Sequence, residues 1–149
     1  MVSFTMLWRF HPANQTPPEE YPCRDKDNNP CYEHQCAVRM GVALQLAGIS
    51  IASYHGSFCW HGHDRTHILV AQELADWLSS NPYIAGQPSV AQKVTNAKYN
   101  GKKGIVFFRN FYGQNNLGDH IDVWNGARMG MGASWYFGRS EEVRFWELL

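Results

Sequence analysis

Two residues of this chain have the chemistry of a nucleophile and its base. One is Cys36, in the stretch His34-Gln35-Cys36-Ala37-Val38-Arg39-Met40-Gly41-Val42-Ala43-Leu44-Gln45-Leu46-Ala47. From Cys36 onward only Arg39 and Gln45 are clearly polar, and a helix apolar on nearly all sides is a buried one. Its first turn carries unpaired backbone N–H groups and the positive end of the dipole, which stabilise a thiolate. A buried cysteine is often no more than a small hydrophobe; a matching histidine favours the nucleophile. That histidine is His120. It opens the alternating run His120-Ile121-Asp122-Val123-Trp124, and it is the one histidine expected on a strand. A thiolate attacks an acyl carbon, and an imidazole carries the proton to the departing amine. The helix start can supply N–H groups to the oxyanion.

The elements that must position these residues follow from pattern. Residues 11–34 hold Pro12, Pro17, Pro18, Pro22 and Pro30, which exclude a long helix, and Asp27-Asn28-Asn29-Pro30 reads as a turn. The buried helix ends near Gly48. A second helix is expected from about Thr66, with Leu69, Ala71, Leu74, Ala75 and Leu78 at helical spacing and Asn81-Pro82 as its stop. A short helix is expected around Val90 to Val94. Ile105 to Phe108 reads as a strand, and residues 110–119 as a glycine-bearing loop. In the strand that follows, His120, Asp122 and Trp124 share one face, and Ile121 and Val123 the other. Asn125-Gly126 signals a two-residue hairpin. Ser134 to Phe137 and Val143 to Trp146 read as two more strands. Helices first and an antiparallel sheet after them make an α+β domain, expected to span residues 1–149 as a single unit.

Composition bounds the function. The 149 residues carry 13 basic and 13 acidic side chains, a formal charge of zero. Without a basic patch there is no case for nucleic acid. No apolar run approaches the roughly 20 residues that span a bilayer, so no membrane partner is expected. The start lacks the apolar run and cleavage site of a signal peptide, so the chain is expected to be made in the cytoplasm and not exported by the general route. Four cysteines are too few for a disulfide scaffold of this length. Cys23 and Cys31 share one loop and either pair or remain thiols. Cys59, His61, His63 and His67 have the ligand types of a zinc site but not the spacing of a standard finger, so a structural or groove-shaping role is the stronger expectation. Arg39, one turn into the buried helix, either closes an internal ion pair or meets a substrate carboxylate.

The blocks Gln35-Cys36-Ala37-Val38-Arg39-Met40, Cys59-Trp60-His61-Gly62-His63 with His67, Glu73-Leu74-Ala75-Asp76-Trp77-Leu78, Gly104-Ile105-Val106-Phe107-Phe108 and Gly118-Asp119-His120-Ile121-Asp122-Val123-Trp124-Asn125-Gly126 resemble, in order and spacing, the type VI secretion amidase effector 4 family. The resemblance spans about residues 30–126. It implies a papain-like fold of the NlpC type, with the nucleophile on a buried N-terminal helix packed on an antiparallel sheet. It implies hydrolysis of the γ-D-glutamyl–meso-diaminopimelate amide of peptidoglycan stem peptides, delivery by a type VI apparatus into a rival's periplasm, and a cognate immunity protein. It implies no metal and no cofactor. Cys36 matches the nucleophile and His120 the general base; Gln35, Arg39 and Trp60 are expected to contact substrate.

The third catalytic position departs from the family. In a two-residue hairpin, Trp124 faces Ala127 and His120 faces Met131, where the family usually has an acidic residue. A thioether cannot take a strong hydrogen bond from an imidazole. Asp122, on the same strand face, is the expected substitute, although same-face neighbours stand roughly 6–7 Å apart at Cα. Asp122 lining the cleft or pairing with Arg39 is the competing reading, and a bulge could bring Ser134 in instead. Two rival functions stay open: a papain-like protease or deamidase acting on a protein, and a non-catalytic zinc-binding module.

Overall fold

Apolar residues at alternating positions of two neighbouring strands face opposite ways, and that alternation divides the interior in two. The structure is a computed structural model that describes residues 1–61, 66–111 and 118–149. The helices are α1 (Phe4–Phe10), α2 (Cys36–Leu46), α3 (Ala71–Ser80), α4 (Pro82–Ala85) and α5 (Tyr136–Arg139); the strands are β1 (Ser89–Ala91), β2 (Gly104–Arg109), β3 (His120–Trp124) and β4 (Glu142–Glu147). The four strands form an antiparallel sheet in the order β1-β4-β2-β3. Ile105, Phe107, Ile121, Val123 and Trp146 face α1, α2 and α3 in one core. Val106, Phe108, Trp124, Val143 and Phe145 face away from those helices, into a second core with Tyr99, Met129 and Phe137. No described helix is long and apolar enough to cross a membrane.

Helix α2 is buried from Ala37 to Leu44, as its composition requires. Its first turn meets the start of β3, so the two elements that carry Cys36 and His120 touch. The first helix, α1, has no counterpart in the sequence reading. It is short, is capped by Ser3, whose Oγ accepts from Met6 N at 3.4 Å, and ends at His11.

Four local expectations give way to tertiary packing. Helix α3 begins at Ala71, not Thr66, because Ile68 bridges to Phe58 and Leu69 N donates to Ser57 O at 3.1 Å, which holds that stretch extended. No helix forms around Val90; Ser89–Ala91 instead pairs with the edge of β4. Ser134 to Phe137 is not a strand. Its second half enters the helical turn α5, where Phe137 is buried against Tyr99, Phe108 and Trp124.

The fourth is the hairpin register. The turn after β3 has four residues. Asn125 Oδ1 accepts from Ala127 N and Arg128 N at 2.9 and 2.8 Å, and Gly126 takes a φ of 99° that favours glycine. Trp124 therefore pairs with Met129, not Ala127. The returning segment is displaced by two residues, which sets Asp122, and not His120, beside Met131. The expected loop over residues 110–119 lies largely outside the described residues.

Candidate active site

An imidazole is useful to a thiol only if its ring cannot turn, and here three features hold it. His120 starts β3 opposite Phe108 and is 6% exposed. Phe108 stacks along its ring at 6.2 Å between centroids, and Tyr136 and Phe111 meet it edge-on at 5.1 and 6.0 Å. Its Nε2 lies 2.8 Å from Asp122 Oδ2. With Nε2 so engaged, Nδ1 is the nitrogen left for the Cys36 sulfur, to which the ring is hydrogen-bonded.

The Asp122 carboxylate is almost fully buried and fully partnered. Oδ1 accepts from Val123 N at 2.8 Å and Gly130 N at 3.1 Å; Oδ2 accepts from Met131 N at 2.9 Å as well as facing His120. The position expected to lack an acid therefore contributes through its backbone. Close approach of that backbone needs Gly130, where a Cβ would stand 2.8 Å from both Asp122 Oδ1 and His11 Nδ1.

His11 was not foreseen from the sequence. It caps α1, is 1% exposed, and places Nε2 3.4 Å from Asp122 Oδ1. Its Nδ1 accepts from Ala13 N at 3.3 Å, so the proton sits on Nε2, which faces the carboxylate but makes no hydrogen bond among the described residues. Burial pushes the His11 pKa down to about 4 despite the neighbouring carboxylate. At neutral pH it stands beside Asp122 as a neutral ring and not as a charge. The only sequence hint was Met129-Gly130-Met131-Gly132, whose alternating glycines permit close backbone approach; nothing in pattern links it to His11.

The ionisation of the three groups follows from these contacts. Burial works against each charged form, and the partners win. The His120 pKa rises to about 9 through its hydrogen bonds to Asp122 and Cys36. Asp122 falls to about 2, drawn down by His11, His120 and the Met131 N–H. The Cys36 thiol falls below its ordinary value through His120, the Ile121 N–H and Arg39. The arrangement favours a thiolate–imidazolium pair at neutral pH.

The sulfur lies 3.8 Å from the Asp119 carbonyl at the floor of a cleft of about 520 Å³. Arg39 lines that cleft. It makes no ion pair among the described residues, and neither the internal pair nor the Asp122 pairing is present; its guanidinium donates to Glu20 O at 2.6 Å. Gln35 also reaches the cleft wall, but its side chain is turned into the protein. Its Oε1 accepts from Cys23 N and its Nε2 donates to Cys23 O, both at 2.8 Å, and to Tyr32 O at 3.1 Å. No polar atom of that amide remains for a substrate.

Trp60 does not line this cleft. It is 82% exposed, stacks on His61 at 4.2 Å, and borders a separate concavity with Asp25, Lys26 and Asp27. The histidine-rich zinc cluster includes His63, which lies outside the described residues; the metal-compatible group among those described is Cys23, Cys31 and Cys59.

A family model described as type VI secretion system (T6SS), amidase effector protein 4 matches residues 32–146. No curated protein matches the chain. Among solved structures, the type VI effector–immunity complex Tae4–Tai4 from Salmonella Typhimurium superposes with a TM-score of 0.78 at 18% identity, covering 100% of this chain and 99% of that one. The Tae4–Tai4 complex from Enterobacter cloacae gives 0.74 at 20% identity, with 100% and 99% covered. The effector Tae4 from Enterobacter cloacae gives 0.73 at 20% identity, with 100% and 98% covered. The fold is thus α+β of the NlpC papain-like type, as expected, and with the matched segment taking in α2, nearly all of the sheet and most of the cleft lining, the chain belongs to the type VI secretion amidase effector 4 family.

Proposed function

We propose that residues 1–149 form one cysteine amidase domain that cleaves the γ-D-glutamyl–meso-diaminopimelate amide of peptidoglycan stem peptides in the periplasm of a target bacterium. The observation that carries this reading is the Cys36–His120–Asp122 alignment, with a hydrogen-bonded thiol and imidazole and a carboxylate 2.8 Å from the far ring nitrogen. The Cys36 thiolate attacks the γ-glutamyl carbonyl. The N–H groups of the first turn of α2 receive the oxyanion. Protonated His120 gives its proton to the diaminopimelate amine, which leaves, and a thioester remains on Cys36. His120, now neutral, takes a proton from water as the water attacks the thioester; the carbon–sulfur bond breaks, Cys36 regains its thiolate and the γ-glutamate carboxylate is released.

Asp122 holds the ring and supports the imidazolium; His11 positions Asp122. Arg39, the cation in the cleft wall, is the group that meets a stem-peptide carboxylate. Gln35 keeps the helix start in place rather than touching substrate. An immunity protein would be expected to cover the cleft, in keeping with the effector–immunity complexes that share this fold.

Purified sacculi incubated with wild type should release fragments carrying new γ-glutamate and diaminopimelate ends, read by mass spectrometry of the muropeptides. Cys36→Ala and His120→Ala should each abolish that release while folding normally by circular dichroism. Intact sacculi beside a cleaved or deamidated protein from a parallel panel would replace this reading with that of a protein-directed enzyme.

A further inference from the structure

Three of the four cysteines play no part in the chemistry above, yet they converge. Cys23 and Cys31 flank a tight turn closed by the Arg24–Pro30 bridge, with Cys31 N donating to Cys23 O at 3.0 Å. Asp25 Oδ1 organises that turn by accepting from Asp27 N and Asn29 N, each at 2.9 Å. Cys59 lies in a second turn, beside the Phe58–Ile68 bridge, where its N–H donates to His67 O at 3.0 Å. The two turns face each other across the flank of α2, over Val38 and Val42. No disulfide joins any of the four cysteines. The three sulfurs of Cys23, Cys31 and Cys59 lie within 4.8 Å of one another, Cys23 and Cys59 at 3.6 Å, and His61 Nδ1 stands 3.2 Å from the Cys59 sulfur.

We propose that Cys23, Cys31, Cys59 and His61 bind one zinc ion, with the two turns as the jaws of a structural site. Zinc–thiolate bonds of about 2.3 Å in a tetrahedron give sulfur–sulfur edges of roughly 3.8 Å, close to the 3.6 Å already present between Cys23 and Cys59. Three thiolates and an imidazole are a soft donor set of the kind that selects zinc among divalent cations. The surroundings fit an outer shell. The Tyr32 hydroxyl lies 3.5 Å from the Cys59 sulfur, and Gln35 holds both the N–H and the C=O of Cys23. Cys23 is fully buried and His61 exposed, so the ion would enter from the His61 side. The ion would cross-link the loop before α2 to the loop before α3, both of which border the cleft. This inference does not depend on which amide the enzyme cleaves.

The test is metal binding by the whole chain under reducing conditions. Chain refolded with zinc should retain one ion per molecule after gel filtration. Cobalt should give tetrahedral visible bands and a thiolate charge-transfer band of three-sulfur intensity. Cys36→Ala should bind identically, Cys59→Ser should lose the three-sulfur signal, and His61→Ala should bind more weakly by on the order of tenfold or more, since a ligand should matter at least as much as an outer-shell partner. His61 is exposed, so that variant tests the site without burdening the fold. The proposal is overturned if reduced wild type takes up no cobalt, if Cys59→Ser leaves the spectrum unchanged, or if a thiol reagent labels all four cysteines as fast with zinc as without it.

Discussion

Asp122 is two residues from His120 on one strand, a separation too great at the backbone for a simple side-by-side contact. Both side chains point to the same face, and their tips close the gap to 2.8 Å. The carboxylate can stay ionised there because three backbone N–H groups and the His120 ring replace its water. This gives the reaction a defined pH window. On the alkaline side activity should fall near pH 9, where the His120 imidazolium loses its proton. On the acid side it should fall where the Cys36 thiolate is protonated. Asp122→Asn removes the charge that supports the imidazolium, so the alkaline limb should move below pH 9 and kcat should drop by about tenfold or more. A kcat/KM profile from pH 5 to 10 reads both changes; an unmoved limb with full activity would give the orienting role to another group.

At the scale of elements, long periodic features were legible in the sequence and short ones were not. The mostly apolar run of α2, the alternation of β3 and the β-rich stretch of β2 each state their environment, so Cys36 at a helix start and His120 on a strand could be placed before any coordinates. The placement of Asp122 on the His120 face followed from the same period. What failed was decided by neighbours far along the chain. Ser89–Ala91 is a strand only because β4 offers an edge, and residues near Phe137 are helical because an aromatic cluster receives that side chain. The turn at Asn125 had the residues of a two-residue hairpin, yet Asn125 Oδ1 capped a four-residue one. The register that results makes Gly130 indispensable. Gly130→Ala should cost on the order of 1–3 kcal/mol, as overpacking does, and should lower amidase activity because Asp122 and His11 must part. Urea denaturation and sacculus digestion measure the two effects, and normal values for both would mean that the carboxylate has room to shift.

At the scale of the whole molecule, two buried histidines pull stability in opposite directions. His11 titrates at 6.5 when unfolded and at about 4 when folded. As pH falls below 6.5 the unfolded chain binds the proton first, so stability is lost between 6.5 and 4, by on the order of 3 kcal/mol. His120 is the reverse case. Its contribution is complete below 6.5 and is lost as pH rises through about 9. The Cys36 thiol, held below its ordinary value, gains stability as pH rises and offsets part of that alkaline loss, so the melting temperature should fall more steeply on the acid side of pH 6.5 than on the alkaline side. His11→Gln, which removes the titrating ring, should flatten the acid side of that curve above pH 4; an unchanged acid side would trace the loss to a different buried group.

The grip of main-chain amides on Asp122 also bears on how such enzymes diversify. Acid and base travel together within five consecutive residues, while the strip that clasps them contributes peptide groups instead of a particular side chain. Position 131 can then change its chemistry without touching the charge arrangement, provided a glycine stays next to it. A lineage built this way can remodel the rim of its cleft, and the surface an inhibitor must recognise, without rebuilding its proton path.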